Sequence, residues 1–347
     1  VKYNQPFGIS DPNAPYINGN PSTGTMGSIP PAWSIEHDQR EIVAVIQYAA
    51  DRGLIDFNNQ TCLPPASTDL TQLLKAIFGL SNRQRVTVPF TFYVNGTTGN
   101  DLNLGTTPAT AFKTIQGAVN AAGQYSPGPI PITIKIAIGN YNGFTLPFYS
   151  IPPIYMEGDT GTPTGVVING NVSPNSEWAA ACGSYNTLYL SYMKLQATGN
   201  RLIGPGSSGV VAFNYATVNL MAGLTFGQCD LALISSAGRV GVASPFHMNG
   251  TSCQTVLAAQ GGTIIIGYLN QGLEIFIDAP MACGAFAAAV GTGSQIGSWG
   301  TTWYGRAGVT GYNYNVNWGG FIDSNLAGDY YFPGTLGGFS ANGGSYR

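Results

Sequence analysis

GVVAFNYATVNL (Gly209–Leu220), LALISSAGRVGVA (Leu231–Ala243) and CQTVLAAQGGTIIIG (Cys253–Gly267) follow one another with short turn clusters between them. Val, Ile, Thr and aromatic residues suit a pleated, packed surface. Gly, Asn and Ser supply the turns. TLYLSYMKLQA (Thr187–Ala197) precedes these runs and LEIFID (Leu273–Asp278) follows them in the same manner. Turn clusters recurring at roughly 20-residue spacing predict the stacked coils of a β-solenoid. No hexapeptide period accompanies the rhythm. A jelly roll or sandwich, also made of many short strands, therefore stays open at this level.

Working outward, residues 86–171 carry the same signals. VTVPFTFYVNG (Val86–Gly96), ITIKIAIG (Ile132–Gly139), PIYMEG (Pro153–Gly158) and VVINGN (Val166–Asn171) read as strands. Between the first two, Thr107 reads as a helix N-cap with Pro108 at the first helical position. Phe112, Ile115, Val119 and Ala122 then share one helix face. Asp101 and Asn103 suit Asx turns. Nearer the N-terminus, residues 36–52 predict a helix with Glu36 and Asp38 in its first turn and a stripe of Ile42, Val45, Ile46 and Ala49. A second helix is expected over 69–78, capped by Thr68 or Asp69, with Leu70, Leu73, Leu74 and Ile77 on one side. Two helices this short need each other or a neighbour to bury their faces.

Residues 1–33 hold Pro6, Pro12, Pro15, Pro21, Pro30 and Pro31 and show no helix or strand period. They read as an extended segment along a partner surface or as a flexible tail. Tyr3, Phe7, Tyr16 and Ile17 are the apolar anchors that favour the first. The division expected is 1–33 extended, 34–85 helical, 86–300 capping helix and solenoid, and 301–347 an aromatic-rich tip.

Composition excludes several classes. Of 347 residues, 13 are Lys or Arg and 16 Asp or Glu, only 8% charged, with a net charge of -3. A long coiled coil lacks the charges it needs. Nucleic-acid binding lacks its basic excess. At 44% hydrophobic and 12% aromatic, the chain is not disordered by composition. No apolar run reaches the ~18–20 residues of a membrane span, so no membrane insertion is expected. The opening residues carry no secretory-signal pattern. The five cysteines, Cys62, Cys182, Cys229, Cys253 and Cys283, form no CxxC pair, and His37 and His247 stand alone. No metal site and no cofactor are expected.

Three segments carry a resemblance. TGNDLNLGTTPATAFKTIQGAVNAA (Thr98–Ala122) resembles the opening of right-handed parallel β-helix domains of the pectin-lyase-like kind. SIPPAWSIEHDQREIVAVIQYAADRGLIDFNNQTCLPPASTDLTQLLKAIFGL (Ser28–Leu80) resembles the particle-proximal module of phage and prophage tail fibres. DYYFPGTLGGFSANGGSYR (Asp329–Arg347) is similar to the ends of such fibres. The resemblance implies a mainly β protein, a right-handed parallel β-helix with a small α-helical N-terminal attachment module, assembled as a homotrimer. It implies a virion-tail protein, made in the host cytoplasm, whose N-terminus meets a tail or baseplate protein. Tyr3, Phe7, Tyr16, Ile17, Ile42 and Ile46 would then belong to the attachment. The far end would adsorb to host surface polysaccharide.

Three functions are compatible with that resemblance: an adsorbing structural fibre, a tailspike depolymerase acting as hydrolase or lyase, and a structural spacer that carries no receptor site. Hydrolysis needs two carboxylates about 5–10 Å apart. After Gly161 the carboxylates are Glu177, Asp230, Glu274, Asp278, Asp323 and Asp329. Glu274 and Asp278 point to one strand face roughly 13 Å apart. A lyase would draw its base from Lys194, Arg201, Arg239 or His247, which form no motif. No catalytic residue is assigned, and adsorption is the favoured reading. Sugar rings stack on Trp and Tyr, and residues 298–347 are twice as aromatic as the chain. Trp299, Trp303, Tyr304, Tyr312, Tyr314 and Trp318 are the candidate glycan contacts. The competing role for the same six is the hydrophobic core of the distal end.

Overall fold

The computed structural model describes residues 6–11, 14–15, 17–29, 32–52, 60–66, 69, 71–81, 83–170, 178–197, 208–267 and 273–347. Two compact units divide the chain, Val1–Gln84 and Arg85–Arg347.

The first unit contains helices Ala32–Asp51 and Gln72–Ser81. They pack on each other, with Ile46, Ala49, Cys62 and Ala76 buried and Val45 and Leu73 against them. The expected stripes are only partly used. Ile42, Leu74 and Ile77 are exposed, and Leu70 lies outside the described residues. Leu73 and Ala76 are three apart and share a face. Leu74 and Ile77 form an equally apolar adjacent face, and the partner helix covers only one of the two. The first helix begins at Ala32, so Glu36 and Asp38 fall beyond its first turn. Asp69 accepts the backbone N–H and hydroxyl of Thr71 and pairs with Lys75 at 2.7 Å.

The second unit is mainly β. Among the described residues it builds three long sheets of ten, seven and eight strands, and every pairing between neighbouring strands in them is parallel. The chain visits the sheets in turn. Thr187–Ser191 lies in the ten-stranded sheet, Met193–Ala197 in the seven-stranded and Ser208–Phe213 in the eight-stranded. Thr217–Leu220 then pairs with Thr187–Ser191 one strand further on. This topology is compatible with a parallel β-helix. It removes the jelly roll and the sandwich, whose strands pair antiparallel.

Register explains the cohesion. Ile132, Ile154, Leu188, Val218, Val240, Ile264, Ile296 and Ile322 are successive partners across the ten-stranded sheet. All eight are buried in one continuous core. Like residues stack on like, and each methyl group meets its equivalents above and below. The intervals in sequence differ from coil to coil, because loops of unequal length leave the sheets. For that reason no fixed period is visible in the chain. The eight-stranded sheet is buried on both faces over Trp178–Cys182, Ser208–Phe213 and Leu231–Ser236, whereas its later strand Val309–Asn317 carries exposed positions. Ala181, Val211, Leu231, Ile234 and Ala258 form a cluster apart from the interior. The doubly buried strands accordingly read as unbroken apolar runs such as WAAAC and LALI, while VTGYNYNVN alternates.

The helix Ile115–Ala122 packs on the first strands of the stack, burying Ile115, Ala118, Val119 and Ala122. Its N-cap is Thr114, whose hydroxyl accepts the Gly117 N–H at 2.9 Å. Thr107 instead caps a 3-10 turn at Pro108–Thr110. Asp101 draws the chain around between the two turns by accepting the Lys113 and Thr114 N–H groups, each at 2.9 Å. Gln116 closes an exposed edge. Its amide donates to the Thr145 carbonyl at 3.1 Å, and its oxygen accepts the Thr145 N–H at 3.0 Å. Unpaired strand groups at the end of a sheet are thereby satisfied.

Candidate functional site: outward aromatic rows and a polar cleft

Among the described residues, several places on the second unit present chemistry to solvent. The first is an outward row on the seven-stranded sheet. His247, Phe276 and Tyr304 are register partners on three successive strands. Their rings stack, His247 on Phe276 at 4.7 Å and Phe276 on Tyr304 at 5.0 Å between centroids. Thr302–Tyr304 is the edge strand of that sheet. One face of the Tyr304 ring therefore has no further strand beyond it. Glu274 accepts the Tyr304 phenol at 3.0 Å, and that carboxylate pushes the phenol's pKa up. Asp278 meets Nδ1 of His247 at 3.1 Å through either oxygen. Glu274 and Asp278, expected on one face, are thus tied to different neighbouring coils.

The second place is a corner between the eight- and ten-stranded sheets. Tyr185 and Tyr215 stack at 5.3 Å with planes 11° apart. They are 71% and 70% exposed. Both occupy left-handed backbone, at φ 62° and 65°, a region costly for bulky side chains. Phe148 and Tyr149 are exposed nearby. Phe148 reaches Phe213 at 5.7 Å, and Asn186 donates to the carbonyls of Pro147 and Tyr149. Sequence reasoning passed over this corner. The available signal was that Tyr185 and Tyr215 each stand two residues before a threonine, and those threonines, Thr187 and Thr217, are register partners.

The third place is a cleft of about 280 Å³ lined by Tyr93, Asn95, Pro108, Lys135, Glu157, Asp159 and Thr160 with several backbone segments. Tyr93, Lys135 and Glu157 are register partners on adjacent strands of the ten-stranded sheet. Glu157 and Asp159 precede the stretch in which carboxylates were sought. Glu157 ends the strand of PIYMEG and Asp159 stands in the turn that follows it, where a carboxylate looks like ordinary turn chemistry.

The six C-terminal aromatics separate by environment. Trp303 is 4% exposed, packed among Phe286, Tyr331 and Phe332. Tyr314 is also buried, stacked on Tyr346 at 4.0 Å. Burial and the neighbouring Asp329 raise its pKa to about 12. Trp299 is half-buried. Tyr304, Tyr312 and Trp318 are exposed and reachable by a ligand. Of the attachment residues, Phe7, Ile17 and Ile42 are exposed and Ile46 is buried. Tyr3 and Tyr16 lie outside the described residues, as do Glu177 and Arg201.

Asp230 is half-buried. Asp323 pairs with Arg347 at 3.2 Å, and Asp329 accepts the Tyr314 phenol at 3.2 Å. Cys62, Cys182, Cys229 and Cys253 are buried free thiols and Cys283 is half-buried. Burial pushes the Cys283 thiol up to about 12. Among the described residues no cluster of His, Cys, Asp or Glu is arranged to hold a metal ion, and no helix is long and apolar enough to cross a membrane. No known family model matches the chain, and no curated protein matches it.

Proposed function

We propose that the chain is a structural tail-fibre component of a phage or phage-like particle that adsorbs to host surface glycan. The exposed Tyr185–Tyr215 stack carries the binding half of this reading. The left-handed backbone itself belongs to the corner, which recurs at Ala237 and is bonded from coil to coil through Tyr185 N–H to Asn214 O and Tyr215 N–H to Ala237 O, but it leaves the two side chains facing solvent rather than the core. Two stacked, solvent-facing rings held by a hydrogen-bonded corner make a preorganised apolar platform for a sugar face. Tyr304, Tyr312 and Trp318 add further rings that could take the apolar faces of sugars, and neighbouring Asn, Ser and Thr supply hydrogen bonds. In this reading the β-domain is a right-handed parallel β-helix of pectin-lyase-like form, since crossovers between parallel strands are right-handed in ≈ 98% of cases.

The attachment half rests on resemblance, supported by the first unit's surface. Phe7, Ile17, Ile42, Val43, Leu74, Ile77 and Phe78 are all exposed, and apolar surface of this kind suits a tail or baseplate partner. Three chains would form the fibre, and three equivalent corners would bind a repetitive polysaccharide with avidity. The place of action is the virion tail. The experiment is adsorption of the purified chain to host polysaccharide, with light scattering for its mass. Binding by a species of three chain masses supports the reading. A monomer that binds no host polysaccharide ends it.

A second reading, polysaccharide cleavage, draws on one feature. His247, oriented by Asp278, shares an outward strand face with Glu274. Incubation with polysaccharide separates the two. New reducing ends or unsaturated products would establish an enzyme.

A further inference from the structure

We propose that the cleft between the Tyr93, Lys135 and Glu157 row and the Asp159 turn is a monosaccharide subsite selective for an amino sugar bearing a free ammonium group. The inference rests on the adhesion reading and adds the chemistry of one ligand unit to it. The volume, about 280 Å³, lies at the lower end of small-molecule sites. It suits a single ring or a chain end.

Charge selects the ligand. Lys135 and Glu157 stand 3.8 Å apart, and both side chains are partly solvated. They offset each other. The remaining charge in the lining is the Asp159 carboxylate. One of its oxygens accepts the Thr162 N–H at 2.6 Å and holds the turn. The other oxygen is left to a ligand, and Glu157 stands by as a second acceptor. An ammonium group complements the one uncompensated carboxylate, whereas a uronate would set a second negative charge beside Asp159 with Lys135 already paired to Glu157. Tyr93 contributes a ring. The side-chain oxygen of Asn95 is committed to the Thr97 and Thr98 N–H groups. Its NH₂ remains a donor for a sugar hydroxyl, beside the Thr160 hydroxyl. Pro108 and Ala111 form an apolar wall. Aromatic, apolar and hydrogen-bonding groups around one net negative charge make a hexosamine site.

The test uses the full chain and three probes, glucosamine, N-acetylglucosamine and glucuronate, titrated by ligand-observed NMR. Glucosamine is expected to bind about fivefold more tightly than N-acetylglucosamine, the size of a partly solvated charge contact. Asp159→Asn keeps the oxygen that accepts Thr162 N–H, so the turn stays formed. It is expected to bring the preference close to one. Lys135→Gln should increase it. Equal affinities for the three probes, no binding of any of them, tighter binding of glucuronate, or a preference for glucosamine that survives Asp159→Asn would overturn the inference. Host polysaccharide binding that neither glucosamine nor Asp159→Asn weakens also sinks it, and leaves adhesion standing. If wild type binds glucosamine in the expected order but no host polysaccharide, the subsite holds and the adhesion reading falls.

Discussion

Tyr304 stacks on Phe276 with ring centroids 5.0 Å apart and planes 9° apart, although the residues lie on different coils. The neighbouring Trp303 points the other way, into the core. Period 2 along a strand makes this division unavoidable. Tyr304→Ala is expected to weaken polysaccharide binding about threefold or more, with little change in stability. Trp303→Ala should cost about 3–5 kcal/mol of stability. Denaturant melts alongside binding isotherms would separate the two effects. Equal destabilisation by both changes contradicts the assignment of faces.

Ile264 and Ile265 offer a second contrast. Ile264 is buried between Val240 and Ile296, whereas Ile265 is only half-buried between Gly241 and Gly297. Ile264→Ala should cost about 2–5 kcal/mol and Ile265→Ala well under half of that. Urea midpoints at constant slope would show the difference.

Gly311 has φ +111°, and a Cβ there would run into the Cys283 carbonyl oxygen. Gly311→Ala combines backbone strain with a clash against main chain, which cannot rotate away. A loss of about 2–3 kcal/mol is the expectation. Gly8, at φ +81° with open space around it, serves as the control for backbone strain without a clash, and Gly8→Ala should cost about 1–2 kcal/mol. Thermal denaturation of the pair measures this.

The raised Tyr314 phenol makes stability depend on alkali. The unfolded phenol ionises near its ordinary value of 10 and the folded one near 12. The contribution is therefore complete below pH 10 and is lost as pH rises from 10 to about 12. Tyr314→Phe should flatten that part of the stability curve. It should also cost about 1 kcal/mol at neutral pH through the lost bond to Asp329. Denaturant unfolding at pH 8, 10 and 11 would register both changes.

The strands were legible because VVAF, LALI, TIII and EIFI leave few alternatives to extended structure, with Asn, Ser, Gly or Asp-Ala-Pro closing the runs. The capping segment was less so. Thr107 with Pro108 has every mark of a helix start, yet the chain makes one 3-10 turn and begins its helix at Ile115 after the Thr114 N-cap, because Asp101 folds back on Lys113 and Thr114. The candidate site was legible only in part. An aromatic count cannot tell Trp303 from Tyr304, and Glu157 shows no sign of facing Lys135 until the coils are stacked.

Sequence alone determined that this is a large, weakly charged, mainly β chain preceded by two short helices, since side-chain shape and turn chemistry act locally. Tertiary structure decided that the strands pair in parallel, that Tyr185 meets Tyr215, and that Tyr93, Lys135 and Glu157 share one row. These contacts join residues about 20 or more positions apart through backbone hydrogen bonds. Any extended segment can make such bonds, so composition leaves their register unspecified.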